Sequence, residues 1–219
     1  MRIFPVVAIM MLAGCALPRA QAPAAIYDFG LQPASSIADP SPQPLSASLL
    51  VTTASSVWLD SPAIQYRLAY HDTARSYSYA NNRWAAAPAT LLNQRIKSRI
   101  AAASSDGVVS ANDGVRADYA LRLELEEFTQ VFDTADRSRA VVRLRASVIK
   151  RDTRLLLAQH SFSVERAAPT ANAAGAVRAL TEASDKMIED LIDWLAKKLP
   201  ENTTEGGAGT LTGTGILSQ

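Results

Sequence analysis

The chain has one cysteine and two histidines among 219 residues. A lone cysteine excludes an intrachain disulfide, and two histidines leave little for metal or acid–base chemistry. Charge of one sign is also missing: Lys and Arg number 22 against 21 Asp and Glu, a net charge of +1. So balanced a chain makes no electrostatic case for nucleic acid or for anionic lipid. No segment reaches 18 uninterrupted apolar residues, so none reads as a transmembrane helix. The G-x-S-x-G elbow, the H-E-x-x-H helix and the G-x-x-x-x-G-K-[ST] phosphate loop are all absent from the sequence. The missing phosphate loop excludes an ATPase. Hydrophobic residues at 48% and charged ones at 20% are ordinary globular proportions, which excludes wholesale disorder. The length suits one domain. These counts favour a scaffold or binding protein, with no cofactor and no catalytic or metal site, over an enzyme.

The amino terminus carries the sharpest pattern. Met1-Arg2 supplies a positive charge, and residues 3–13 form an apolar run interrupted by Pro5. The run is about half of the roughly 20 residues a spanning helix needs, so it reads as the core of an export signal. It ends in Leu12-Ala13-Gly14-Cys15, which resembles the lipobox of bacterial lipoproteins. Small residues before the cut let the chain enter a peptidase, and the Cys15 thiol is the nucleophile that takes a diacylglyceryl group. Residues 1–14 are then a removed signal peptide, and Cys15 is the lipidated first residue of the mature chain. One acyl chain holds a protein marginally, whereas several (palmitate among them) hold it durably. Ala16, where an Asp would resemble an inner-membrane retention signal, points to the outer membrane and its periplasmic face.

Residues 15–25 contain Pro18 and Pro23, lack periodicity and read as an extended tether. A second Pro/Ser-rich stretch, 32–44, reads as a surface connection. The folded domain is expected over 26–199. Strands are expected at 26–31, 45–53 and 64–70, with a short piece at 76–80 extending the meander. Pro88 opens a helix over 88–103, on which Leu92, Ile96, Ile100 and Ala103 share one face while Arg95, Lys97 and Arg99 lie elsewhere. Leu121, Leu123 and Leu125 alternate with Arg122, Glu124 and Glu126, leading to Phe128; Val142, Leu144, Ala146 and Val148 alternate with Arg143, Arg145 and Ser147. Paired antiparallel through a hairpin at 133–138, these strands set acids against bases on the solvent side. Leu156, Ala158, His160, Phe162 and Val164 propose a third strand. A helix over 173–199 carries Val177, Leu180, Met187, Ile188, Leu191, Trp194 and Leu195 on one stripe. Residues 200–219 hold five glycines and read as a disordered tail. The expected fold is α+β: a mostly antiparallel, or else mixed, sheet covered on one face by two long helices.

The order of several motifs resembles the ABC-type transport auxiliary lipoproteins, which include the paraquat-inducible lipoprotein C. The lipobox is followed by Tyr27-Asp28-Phe29-Gly30, then Trp58-Leu59-Asp60-Ser61-Pro62, Tyr66-Arg67, Tyr79, Trp84 and Pro88. Ala117-Asp118-Tyr119, Leu121, Leu123, Leu125, Phe128, Ala179-Leu180 and Trp194-Leu195 continue the match over residues 15–199. The resemblance implies a non-catalytic outer-membrane accessory of an Mce-type intermembrane lipid transporter. Such a protein docks or assembles the periplasmic lipid path. The implied partners are an Mce-domain protein and the outer membrane, with self-association into a homo-oligomer, and no nucleic acid. Two other classes stay open: a lipoprotein activator of a cell-wall synthase, and a small lipid-binding carrier with an apolar cavity of several hundred Å³.

Trp58, Tyr66, Arg67, Tyr79 and Trp84, with Tyr77 among them, are the candidate partner-binding residues, since aromatics and Arg dominate hot spots. The competing reading places Tyr66 and Trp84 in the core. His71-Asp72 has the form of a base with its orienting carboxylate, but it sits in a loop without a nucleophile and reads as a solvated pair. His160 reads as a satisfied, half-buried histidine. Trp194 and Met187 fit the core or the lining of a lipid groove.

Overall fold

The computed structural model describes residues 23–31, 45, 47–104, 108–109 and 116–199. The signal segment, Cys15, the stretch 32–44 and the tail 200–219 lie outside them.

The elements are β1 (Ala25–Tyr27), β2 (Leu49–Ser55), a 3-10 turn (Val57–Leu59), β3 (Ala63–Leu68), β4 (Asp72–Trp84), α1 (Pro88–Ala103), β5 (Val108–Val109), β6 (Tyr119–Phe132), β7 (Ser138–Lys150), β8 (Leu156–Ala167) and α2 (Ala173–Lys198). All eight strands, the two-residue β5 included, share one sheet. β6 is its axis. One edge of β6 pairs antiparallel with β7 from Tyr119 to Phe132. The other edge is divided: β2 runs parallel to it over Tyr119–Leu125, and β3 runs parallel to it from Gln130 to Phe132.

The sheet is therefore mixed and not mostly antiparallel. β1–β4, β2–β5, β2–β6 and β3–β6 are parallel, while β3–β4, β6–β7 and β7–β8 are antiparallel. Alternation in a strand marks its buried side but not its direction. The segments joining β2 to β6 contain β3, β4 and α1, long enough for the crossover that parallel neighbours require.

In β6 the side chains buried toward the core run Tyr119, Leu121, Leu123 and Leu125, then Phe128, Gln130 and Phe132, and Thr129 is buried on the opposite side. A bulge between Leu125 and Glu127 causes the change of phase. Its extra residue, Glu126, turns the following side chains over, so both halves of the strand feed the same core. The solvent side carries the expected charge pairs: Arg145 meets Glu124 at 3.5 Å and also pairs with Glu126. In β8 a second bulge sets Ala158 level with Val148 and Leu156 level with Ile149. Leu156 therefore leaves the row formed by Phe162 and Val164, and it is exposed.

α1 has Pro88 in its first turn and no side-chain cap. α2 begins at Asn172, whose side chain accepts a hydrogen bond from the Gly175 N–H at 3.0 Å. Lys197 and Lys198 lie in its last turn, where cations suit the helix dipole. α2 lies against β7 and β8, α1 lies against β2, and the helices touch each other. Ala176, Ala179 and Ala183 are fully buried on α2 beside Leu180, Met187, Ile188, Leu191 and Leu195. These small residues bring the helix close to its neighbours. Val177 and Trp194, expected in the stripe, are only partly buried at its margin.

Candidate functional site

The five candidate residues do not form one patch. Trp84 is 1% exposed. It packs edge-on against Phe29 and Phe128, with ring centroids 5.6 Å from each. It is a core residue and presents no surface. Tyr66 belongs to a second cluster, half-buried, with centroids 5.2 Å from Tyr77, 4.8 Å from Tyr79 and 5.7 Å from Phe132. Arg67, its neighbour on β3, faces the other way because strand residues alternate. The Arg67 guanidinium lies 5.6 Å from the Trp58 ring centroid and 3.8 Å from the Glu127 carboxylate. Trp58 is 38% exposed, and Arg67 also donates to the carbonyls of Thr73 and Ala74.

Beneath the tyrosines runs a buried polar chain. The Tyr79 hydroxyl donates to Gln130 Oε1 at 2.7 Å. Gln130 Nε2 donates to Ser138 Oγ at 2.7 Å and to the Asn172 carbonyl at 3.4 Å. This chain joins β4, β6, β7 and the start of α2. Burial, reinforced by Tyr66, pushes the Tyr79 hydroxyl up to about 12. On the other side of β6, burial raises Glu127 above its ordinary value, although Arg67 and Arg143 pull it down.

The Tyr27-Asp28-Phe29-Gly30 motif now has a physical explanation. Tyr27 on β1 donates to Asn82 at 3.3 Å. The Asp28 carboxylate accepts from the Gly30 N–H at 2.8 Å, an Asx turn. Gly30 has φ +67, which favours a residue without Cβ. Phe29 is thereby swung into the core. Arg95 lies above it, 5.7 Å from the ring centroid, and donates to its carbonyl at 3.1 Å. The same guanidinium grips Asp185 of α2 in two bonds of 2.6 and 2.7 Å. Arg95 is 6% exposed, so its expected place off the buried face of α1 is corrected. One cation ties α1, α2 and the turn at Asp28–Gly30. Spacing held the clue, since position 95 lies three residues beyond Leu92 and four before Arg99. No sequence signal linked it to Asp185.

His71 and Asp72 are exposed; the Asp72 carboxylate accepts from the Ala74 N–H at 2.9 Å. His160 is exposed and not half-buried. Its ring lies 4.7 Å from Phe162 and 6.1 Å from Trp194, at the edge of a groove of about 470 Å³ that Asp190, Asp193 and Lys197 also line. Among the described residues no group of three His, Cys, Asp or Glu is placed to hold a metal ion, and no helix is long and apolar enough to cross a membrane.

Against known proteins, several solved structures share the fold. A crystal structure of a protein from Xanthomonas campestris is 20% identical, covering 79% of this chain and 95% of that one, with a TM-score of 0.68. An uncharacterized protein is 14% identical, with 80% and 99% covered and a TM-score of 0.61. A hypothetical protein of Chlamydia trachomatis is 8% identical, with 72% and 99% covered and a TM-score of 0.50. At such identities the likeness is one of fold. No curated protein matches the chain in sequence. The family model described as "ABC-type transport auxiliary lipoprotein component" matches residues 29–191.

Proposed function

Because the chain belongs to the ABC-type transport auxiliary lipoprotein family, we propose that it is a non-catalytic, outer-membrane-anchored accessory of an Mce-type lipid transporter. In this reading residues 1–14 are removed and Cys15 carries the acyl chains. Residues 16–25 then tether the domain on the periplasmic face. The domain docks or assembles the transporter's periplasmic path through an Mce-domain partner. Its two helices together cover one face of the sheet, which the direct Arg95–Asp185 contact supports.

The observation that carries this reading is the hold on Phe29. A lipoprotein that docks a large partner must resist being pulled on its tether. Here the chain enters the fold through β1, held by β4, and then Phe29, buried beneath Arg95, so a pull is met by the sheet and then by both helices. Of the candidate residues, exposed Trp58 with Arg67 is the pair placed to meet a partner.

Two experiments test it. Cys15→Ser should leave the domain folded and release it from membrane fractions; full retention defeats the lipidation. Affinity purification of the tagged full chain from detergent-solubilised envelopes should recover an Mce-domain protein with its permease. Recovery of a glycosyltransferase or transpeptidase in their place would favour the cell-wall reading instead.

A further inference from the structure

The most unusual surface in the fold is the tip formed by the β7–β8 turn. Leu155, Leu156 and Leu157 are consecutive and 65%, 57% and 47% exposed. Around them stand Arg116, Lys150, Arg151 and Arg154, all exposed. Among the described residues the acids nearby are both engaged: Asp118 accepts from Ser48 Oγ at 2.7 Å, and Asp152 pairs with Lys150 at 3.4 Å. Arg116, Arg151 and Arg154 make no ion pair among the described residues. The turn is held firmly. The Arg151 N–H donates to the Asp118 carbonyl at 3.0 Å, and the Lys150 N–H donates to the Leu155 carbonyl at 2.9 Å. Arg154 sits at φ 57, a left-handed conformation uncommon outside glycine.

From this tip we infer a second membrane contact, separate from the acyl anchor: Leu155, Leu156 and Leu157 enter the interface of an anionic bilayer while the surrounding cations meet its phosphates. Leu156 and Leu157, successive residues of β8, point to opposite sides. A flat protein surface would therefore leave part of the tip wet, whereas a fluid interface surrounds it. The near-zero net charge of the whole chain gives no attraction to anionic lipid; the tip does, because attraction acts within about 10 Å at ordinary salt.

The test uses the otherwise full mature chain with Cys15→Ser, so no acyl chain contributes. It should cosediment with vesicles of three parts phosphatidylcholine to one part phosphatidylglycerol, and lose at least tenfold in affinity on pure phosphatidylcholine or in 0.5 M salt. Replacing all three leucines by Ser should cut binding at least tenfold without lowering the melting temperature. Leu156→Cys, then the only thiol, should carry an environment-sensitive dye whose emission shifts to the blue on adding the mixed vesicles. Failure of the Cys15→Ser chain to bind the mixed vesicles overturns the inference, as does equal binding by the triple Ser variant. A change in sedimentation coefficient of that variant, with vesicle binding unaltered, overturns it too and makes the tip a contact between copies. None of these outcomes depends on whether Cys15 is lipidated.

Discussion

Asp185→Ala removes one half of the clamp and leaves the other buried. Arg95 would keep only the Phe29 carbonyl at 3.1 Å and the face of that ring. Removing one partner of a buried pair costs about 3–5 kcal/mol, because the remaining charge is uncompensated. Asp185 is 30% exposed, so water can partly replace it and the low end applies, about 3 kcal/mol. For a domain of this size that corresponds to a fall in melting temperature of about 6–12 °C.

The diagnostic is the double variant. Arg95→Met with Asp185→Leu removes both charges and fills much of the same volume, so it should recover most of the loss. What remains is the unmet Phe29 carbonyl, about 1 kcal/mol. Chemical denaturation of the parent, Arg95→Met, Asp185→Leu and the double variant should give a coupling of about 2 kcal/mol or more. Hydrogen exchange should show residues 25–31 released in Asp185→Ala ahead of the β6–β7 ladder. A loss below about 1 kcal/mol, or additive single changes, would refute the clamp.

Three further outcomes follow from geometry and titration. Gly175→Ala should destabilise by about 1–3 kcal/mol despite the better helix propensity of Ala, since a Cβ there would lie 1.9 Å from the Thr170 carbonyl oxygen; thermal melts measure it. Tyr79 stays protonated to about 12, above the unfolded value of about 10. Its contribution to stability is therefore complete below about 10 and lost as pH rises toward 12. Tyr79→Phe should flatten that alkaline decline in denaturation midpoints, at a neutral-pH cost of about 1 kcal/mol for the Gln130 acceptor left alone. Glu127 is raised by burial, so its ionisation weakens the fold above the ordinary carboxylate range. Glu127→Gln should raise stability at pH 7, and the gain should vanish once acid protonates both states; an unchanged midpoint at pH 7 contradicts it.

The sequence showed where most segments are regular and, Arg95 and the outer half of β8 apart, which side of each is dry. α1 begins and ends where Pro88 and Ala103 suggested, and β6, β7 and β8 lie where alternation placed them. Strand direction was not legible: β2 and β3 alternate in the same way whether they run with β6 or against it, and only the crossover through α1 decides. The jump from Leu125 to Phe128 was visible as a break in period, but a bulge and a strand end look alike in one dimension. Of the candidate partner-binding residues, Trp84 went to the core because Phe29 and Phe128 arrive from distant segments to meet it. Arg95 escaped notice for a related reason. Its partners lie 66 and 90 positions away, and local pattern carries no trace of them.

The divided edge of β6 also sets an order of events. Among the described residues β2 has no strand partner before β5 and β6, some 60 to 70 positions later in the chain. By contrast, β7 folds back on β6, and β8 on β7, through short turns. Short loops close sooner than long ones, so the carboxy-terminal meander can zip first and act as the template on which the earlier strands are laid. The amino-terminal segment is laid down with them, since Phe29 is seated only once Arg95 and Phe128 are in place.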